Sequence, residues 1–83
     1  MKLGEELLKK LSKKYEPAAL FSLRHKGNDV VFKTDDEGNP IQLFIGRKDN
    51  HGVIKGIRFR RVLKTDKEGK VLKDHWDEKG KAS

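Results

Sequence analysis

One segment of the sequence concentrates cationic side chains in an alternating pattern. Arg58 and Arg60 alternate with Ile57 and Phe59, which predicts a strand with the apolar pair in the core and both arginines on the other face. Guanidinium groups bind phosphate oxygens through paired N–H donors, so this strand is a candidate anion-binding element. Residues 53–64 carry five cations in all: Lys55, Arg58, Arg60, Arg61 and Lys64.

A phenylalanine in the preceding apolar segment could add base stacking to this chemistry. The alternating apolar residues of that segment are Ile41, Leu43 and Ile45. Phe44 is therefore expected to face away from the core, beside Arg58 and Arg60. An exposed ring can stack on a nucleobase while arginines hold the phosphates. The residues predicted to bind nucleic acid are Lys55, Arg58, Arg60, Phe44, Arg47 and Lys48.

Two other interpretations of the same residues stay open. The arginines and lysines could simply solubilise an exposed sheet face, with Phe44 packed under their aliphatic stems. Alternatively, the uncovered face or a sheet edge could bind another protein or a second copy of this chain, with Phe44 and Ile54 in the contact. A homodimer or a protein partner is thus the second functional hypothesis.

Catalytic and metal-binding patterns are missing from the sequence. His25, His51 and His75 match no metal-ligand spacing, and no serine lies in a nucleophile motif. A small nuclease would need one of these histidines clustered with carboxylates or lysines. We therefore expect no enzyme activity, no cofactor and no metal. The single tryptophan, Trp76, is expected to anchor the last strand on the core.

Composition favours a small basic domain inside the cell. The chain has 83 residues, no cysteine and a formal net charge of +7, of which residues 53–66 contribute +4. A localised cationic field attracts polyanions. Cysteine-free small domains are typical of the cytoplasm, and the early acids Glu5 and Glu6 do not fit a signal peptide. No apolar run reaches the about 20 residues of a membrane span, so no membrane partner is expected.

Hydrophobic periodicity predicts the secondary structure. Leu3, Leu7 and Leu11 fall at helical spacing, and Pro17 cannot continue a helix, so a helix is predicted over 3–15. After Pro17 the period changes to two. The predicted strands are 19–26, 29–34, 41–47, 53–64 and 70–76, with a turn at Gly27-Asn28.

Two loops between predicted strands share a sequence pattern. Residues 33–38 read KTDDEG and residues 64–69 read KTDKEG. An aspartate can bind its own loop backbone and a glycine can adopt the left-handed conformation that closes a hairpin. The carboxylates are wrongly spaced for a calcium loop, so the repeat predicts two similar turns.

These elements predict an α+β fold, with an N-terminal helix packed on one face of a five-stranded antiparallel β-meander. The alternative is a small, partly closed β-barrel with the helix plugging one end. Residues 1–76 are expected to form one domain, and 77–83 a flexible polar tail. One ambiguity concerns Arg61, which would face the core unless a bulge at Arg60-Arg61 shifts the register.

Overall fold

The structure, a computed structural model, describes residues 3–81. One helix precedes five strands: α1 (Glu5–Leu11), β1 (Leu20–His25), β2 (Asn28–Thr34), β3 (Pro40–Lys48), β4 (Ile54–Thr65) and β5 (Val71–Lys81). The strands form a single antiparallel sheet in the order β1-β2-β3-β4-β5. The predicted α+β meander is therefore confirmed. Within the described residues β1 and β5 do not pair, so the sheet is open and not a closed barrel.

The core lies between α1 and one face of the sheet, which we call the helix face. Leu7 and Leu11 of the helix are buried against the three central strands. A helix of seven residues is unstable alone in water, so this contact is what holds it. Each fully buried side chain contributes about 1.5–3 kcal/mol. The sheet residues of this core are Val30, Phe32, Leu43, Ile45 and Phe59.

The helix is shorter than the predicted 3–15. It runs from Glu5 to Leu11, and Ser12 caps its C-terminal end. The next two backbone N–H groups make the tighter bonds of a frayed last turn. Tyr15 still reaches the core from the following loop. Its ring centroid lies 4.9 Å from that of Phe32, and its hydroxyl donates to the Lys10 carbonyl at 2.6 Å.

The strands match their predicted bounds to within one residue, except for β5. This strand continues to Lys81, whereas the sequence predicted its end at 76 and a polar tail over 77–83. Residues 82 and 83 of that tail lie outside the described residues. Phe59 pairs with Glu78 and Ile57 with Lys81, so backbone pairing with β4 holds the added residues.

The connection between β1 and β2 is a two-residue turn. Lys26 and Gly27 have φ of 49° and 80°, as a type I′ turn requires, while His25 and Asn28 pair across the strands. The turn therefore lies one residue before the predicted Gly27-Asn28. Gly27 adopts this left-handed backbone conformation with little conformational strain, because glycine has no Cβ.

The other three hairpin loops share one geometry, centred on Asp35, Asp49 and Asp66. In each loop one carboxylate oxygen accepts backbone N–H bonds from the residues two and four positions later, at 2.8–3.1 Å. The glycine three positions later has φ between 80° and 85° in every case. The two predicted turns are confirmed, and residues 49–53 form a third copy.

The backbone N–H bonds lower the pKa of two of these aspartates, Asp35 and Asp49. The N–H of His51, followed by that of Val53, lowers the pKa of Asp49. At Asp35, partial burial raises the pKa, but the N–H groups of Asn39 and Glu37 outweigh it and the net pKa is lowered. The carboxylates of these aspartates therefore serve as hydrogen-bond acceptors that stabilise their own turns.

Arg61 faces the helix, and β4 has no bulge at Arg60-Arg61. The pairing runs without a shift from Arg60 with Asp77 to Arg61 with Trp76. The Arg61 guanidinium donates to both carboxylate oxygens of Asp74, at 2.6 and 2.8 Å. It also donates to the carbonyls of Leu11 and Pro40, each at 3.2 Å. One side chain thus joins the end of α1 to β3 and β5.

Within residues 3–81, no helix has the length and apolarity needed to cross a bilayer.

Candidate functional site

The face of the sheet opposite the helix carries the candidate site, and we call it the open face. Strand alternation assigns side chains to it, because the core residues fix the other set. On the two central strands of the site the open-face positions include Gln42, Phe44 and Lys48 of β3, and Ile54, Arg58 and Arg60 of β4. No described helix covers this face, since α1 packs on the opposite one.

Phe44 and Arg58 are direct cross-strand partners, and Gln42 and Arg60 form the next pair on the same face. Such pairs have Cβ atoms about 4.5–5.5 Å apart, so the two side chains leave the sheet from adjacent points on the open face. Both arginines are exposed. Within residues 3–81 neither makes a hydrogen bond or an ion pair. Their donors are therefore available to an external anion.

The six residues predicted to bind nucleic acid are divided between the two faces. Phe44, Arg58 and Arg60 lie on the open face, and so does Lys48. Arg47 and Lys55 pair with each other across β3 and β4 and alternate to the helix face. Only four of the six can thus contact one ligand lying on the open face.

Lys48 is held in place by its neighbours in the sheet. Its ammonium group donates to the Ser22 hydroxyl of β1 at 3.0 Å, and its backbone N–H donates to the Asp29 carboxylate at 2.9 Å. The side chain thus extends across β2 with its charge at the surface. Its cross-strand partner is Ile54.

Two glycines inside the strands shape this end of the sheet. Gly46 and Gly56 are cross-strand partners on the open-face side of β3 and β4. A Cβ at Gly46 would overlap the Lys55 carbonyl, and one at Gly56 would overlap the Ile45 carbonyl. The two backbones therefore approach more closely than any other residue would allow.

The hairpin tip beyond these glycines curls over the open face. Ile54 is only 6% exposed although it lies opposite the core. It lines a groove of about 250 Å³ together with Phe44 and with residues of β1, β2 and the tip. We call this groove the apolar slot; its lining is Leu20, Val31, Phe44, Gly52, Val53 and Ile54.

The apolar slot was not predicted from the sequence. Phe44 and Ile54 were noted, but Leu20 and Val31 were not connected with them. A signal was present, because a glycine in a strand interior often marks a bend or a close backbone approach. Gly46 and Gly56 are such residues, and their pairing could not be known without the register.

The charge of the open face is strongly positive. Its exposed cations are Arg24, Lys33, Lys48, Arg58, Arg60, Lys64 and Lys73. Among the described residues the acids at its paired positions are Asp29 and Asp77. Asp29 lies 3.8 Å from the Arg24 guanidinium, and Asp77 is 3.2 Å from the His75 ring. The excess of cations would concentrate an anionic ligand at this surface.

The other predicted candidates do not assemble into a site. His51 is exposed in a hairpin loop and His25 ends β1, while the His75 ring lies 3.2 Å from the Asp77 carboxylate. Residues 3–81 contain no group of three histidine or acidic side chains placed to hold a metal ion. Trp76 packs against the core, as predicted, with the Arg61 guanidinium 5.8 Å from its ring centroid.

Comparison with protein-family models, curated proteins and solved structures finds no significant match to this chain. The candidate function therefore has to be argued from the open face alone.

Proposed function

We propose that this protein binds nucleic acid through its open face, with little dependence on sequence. The observation that carries the proposal is the pairing of Phe44 with Arg58, beside Arg60, on a face that no described helix covers. Aromatic rings stack on any base, and guanidinium groups hold phosphates whatever the sequence.

Electrostatics favours a polyanion over a small anion as the ligand. The cations are spread over all five strands, and the described residues form no enclosed anion pocket among them. A phosphate backbone gains from each cation it passes, because each contact releases condensed counterions. If four cations contact phosphates of a single strand, the binding constant falls roughly 50-fold between about 50 and 200 mM salt.

A fluorescence anisotropy titration with single-stranded and duplex oligonucleotides at two salt concentrations tests the proposal. Arg58→Glu should weaken binding about tenfold or more, because it removes one phosphate contact and adds repulsion. Lys13→Glu is the matched control, since it makes the same charge change at an exposed residue just after α1. Equal weakening by both variants, or no binding at low salt, would contradict the proposal.

Self-association through the open face is the second candidate. It is favoured by two exposed apolar residues that line the slot, Leu20 at 67% and Val53 at 48% exposure. It ranks second because two copies of a cationic face repel each other. Sedimentation at low and high salt separates the two functions, since a dimer of this kind would strengthen as salt screens the repulsion.

A further inference from the structure

The apolar slot has the size and chemistry of a site for one unpaired base. We infer that the nucleic acid bound by the open face is single-stranded and that it places one base in the slot against Phe44. This inference rests on the proposed function and narrows it to a substrate class.

The dimensions of the slot fit a single ring system. Its volume is about 250 Å³, the space of roughly eight waters at about 30 Å³ each. Covalently bonded atoms pack more closely than separate waters, so a single base fits in this volume with space to spare. A base pair is stacked on both sides within its helix and cannot turn a ring face toward the slot. The slot therefore fits one base that has left the stack.

The walls of the slot provide stacking without sequence reading. Phe44 provides an aromatic ring, and the side chains of Val31, Ile54 and Val53 are aliphatic. None of these side chains has a hydrogen-bonding group that could distinguish one base edge from another. Such a site binds bases through their π-faces and is sequence-tolerant.

Cations lie on both sides of the slot, where the phosphates of a bound nucleotide would be. Arg58 is the cross-strand partner of Phe44 at one side. Lys48 is paired with Ile54 at the other, and its ammonium group is fixed beside Ser22. Charge complementarity therefore favours a nucleotide over a peptide side chain as the occupant.

The test compares three probes of one length by anisotropy at one salt concentration: a mixed-sequence single-stranded DNA, the same strand with abasic sites throughout, and the duplex. The intact single strand should bind on the order of tenfold more tightly than the abasic strand, the size of one stacking contact. It should also bind more tightly than the duplex. Repeating the titration with single-stranded RNA shows whether the sugar matters.

Phe44→Leu identifies the residue responsible, since it keeps an apolar side chain in the half-buried position but removes the ring. It should abolish the preference for the intact strand and leave abasic binding within about twofold. Phe44→Tyr, which keeps the ring, is the matched control. If Phe44→Leu fails to fold, Val53→Gln at the exposed rim should reduce the preference, whereas Val71→Gln at the start of β5 should not.

The possible results separate this inference from the function on which it rests. Equal binding of intact and abasic strands would overturn the base slot and leave a phosphate-binding face. Tighter binding of the duplex would also overturn it. No binding of any probe would overturn both the slot and the proposed function.

Discussion

At the scale of single residues, Arg61 is a side chain that joins three elements of the fold. Its side chain is 6% exposed, and its guanidinium donates hydrogen bonds to Asp74 and to two backbone carbonyls. A buried cation is tolerated only when it is paired and hydrogen-bonded. Removing its partner should therefore cost more than removing the cation together with the partner.

We expect Asp74→Ala to lower the free energy of unfolding by about 2–3 kcal/mol, because it leaves the Arg61 charge buried without an anion. The double variant Arg61→Met with Asp74→Ala should recover part of that loss. Urea denaturation of the single and double variants measures both effects. If Asp74→Ala left the free energy of unfolding unchanged, the ion pair would contribute nothing to stability.

The same ion pair predicts a pH dependence. The hydrogen bonds from Arg61 are the main reason that the pKa of Asp74 is lowered; burial opposes them, and the charges of Arg61 and His75 add to them. A carboxyl with a lower pKa in the folded protein stabilises it above the unfolded pKa of about 3.9. That contribution is lost as the pH falls through the folded-state value.

Stability should therefore differ between the natural protein and Asp74→Asn at pH 6, and the difference should shrink below about pH 4. Asp35 and Asp49 also have lowered pKa values and destabilise both proteins in acid, so only the difference reports on Asp74. Urea titrations at several pH values give this difference directly. A difference that stays constant down to pH 2 would contradict the assignment.

At the scale of elements, the β3–β4 hairpin depends on its glycine pair. Gly56→Ala should destabilise the protein by about 1–3 kcal/mol, because the added methyl group overlaps the Ile45 carbonyl and pushes the strands apart. Gly4→Ala, where a Cβ meets nothing within 4 Å, is the control. Thermal unfolding measures the loss, and amide exchange should be faster around Ile54. Equal melting temperatures for the two variants would refute the close approach.

Most of the elements could be predicted from the sequence because their signals are local. Alternating apolar residues gave the strands, and an aspartate with a glycine three positions later gave the hairpin loops. The exact end of α1 could not be predicted. Tyr15 fits the helical spacing of Leu7 and Leu11, yet it reaches the core from a loop. Periodicity cannot distinguish these two routes to the same burial.

The extension of β5 and the shape of the site depend on contacts that no local pattern encodes. Residues 77–81 are polar on both faces, which is typical of a tail, but β4 offers them an unpaired backbone edge. Phe44, Arg58 and Arg60 could be assigned to one face by alternation alone. Arg47 and Lys55 lie on the other face, as their spacing from Ile45 and Ile57 already indicates, so the sequence prediction that grouped them with Phe44 overlooked a local signal.

At the scale of the whole molecule, the two faces of the sheet differ in burial and in charge. The helix face holds nearly all of the buried side chains, while the open face holds an excess of cations around one apolar slot. A sheet of this size has only one face available for a ligand once its core is covered. The open face carries more cations than acids, so its surface field is positive.

The position of Arg61 between Leu11, Pro40 and Asp74 also bears on how the chain folds. The helix is too short to persist alone, and the residues that bury it lie from Val30 to Phe59, with Arg61 bound to the carbonyl at its C-terminal end. Contacts between segments so distant in sequence require long loops to close before any stabilisation is gained. We therefore expect the helix to become stable only after β2, β3 and β4 have assembled, so that the sheet precedes the helix in folding.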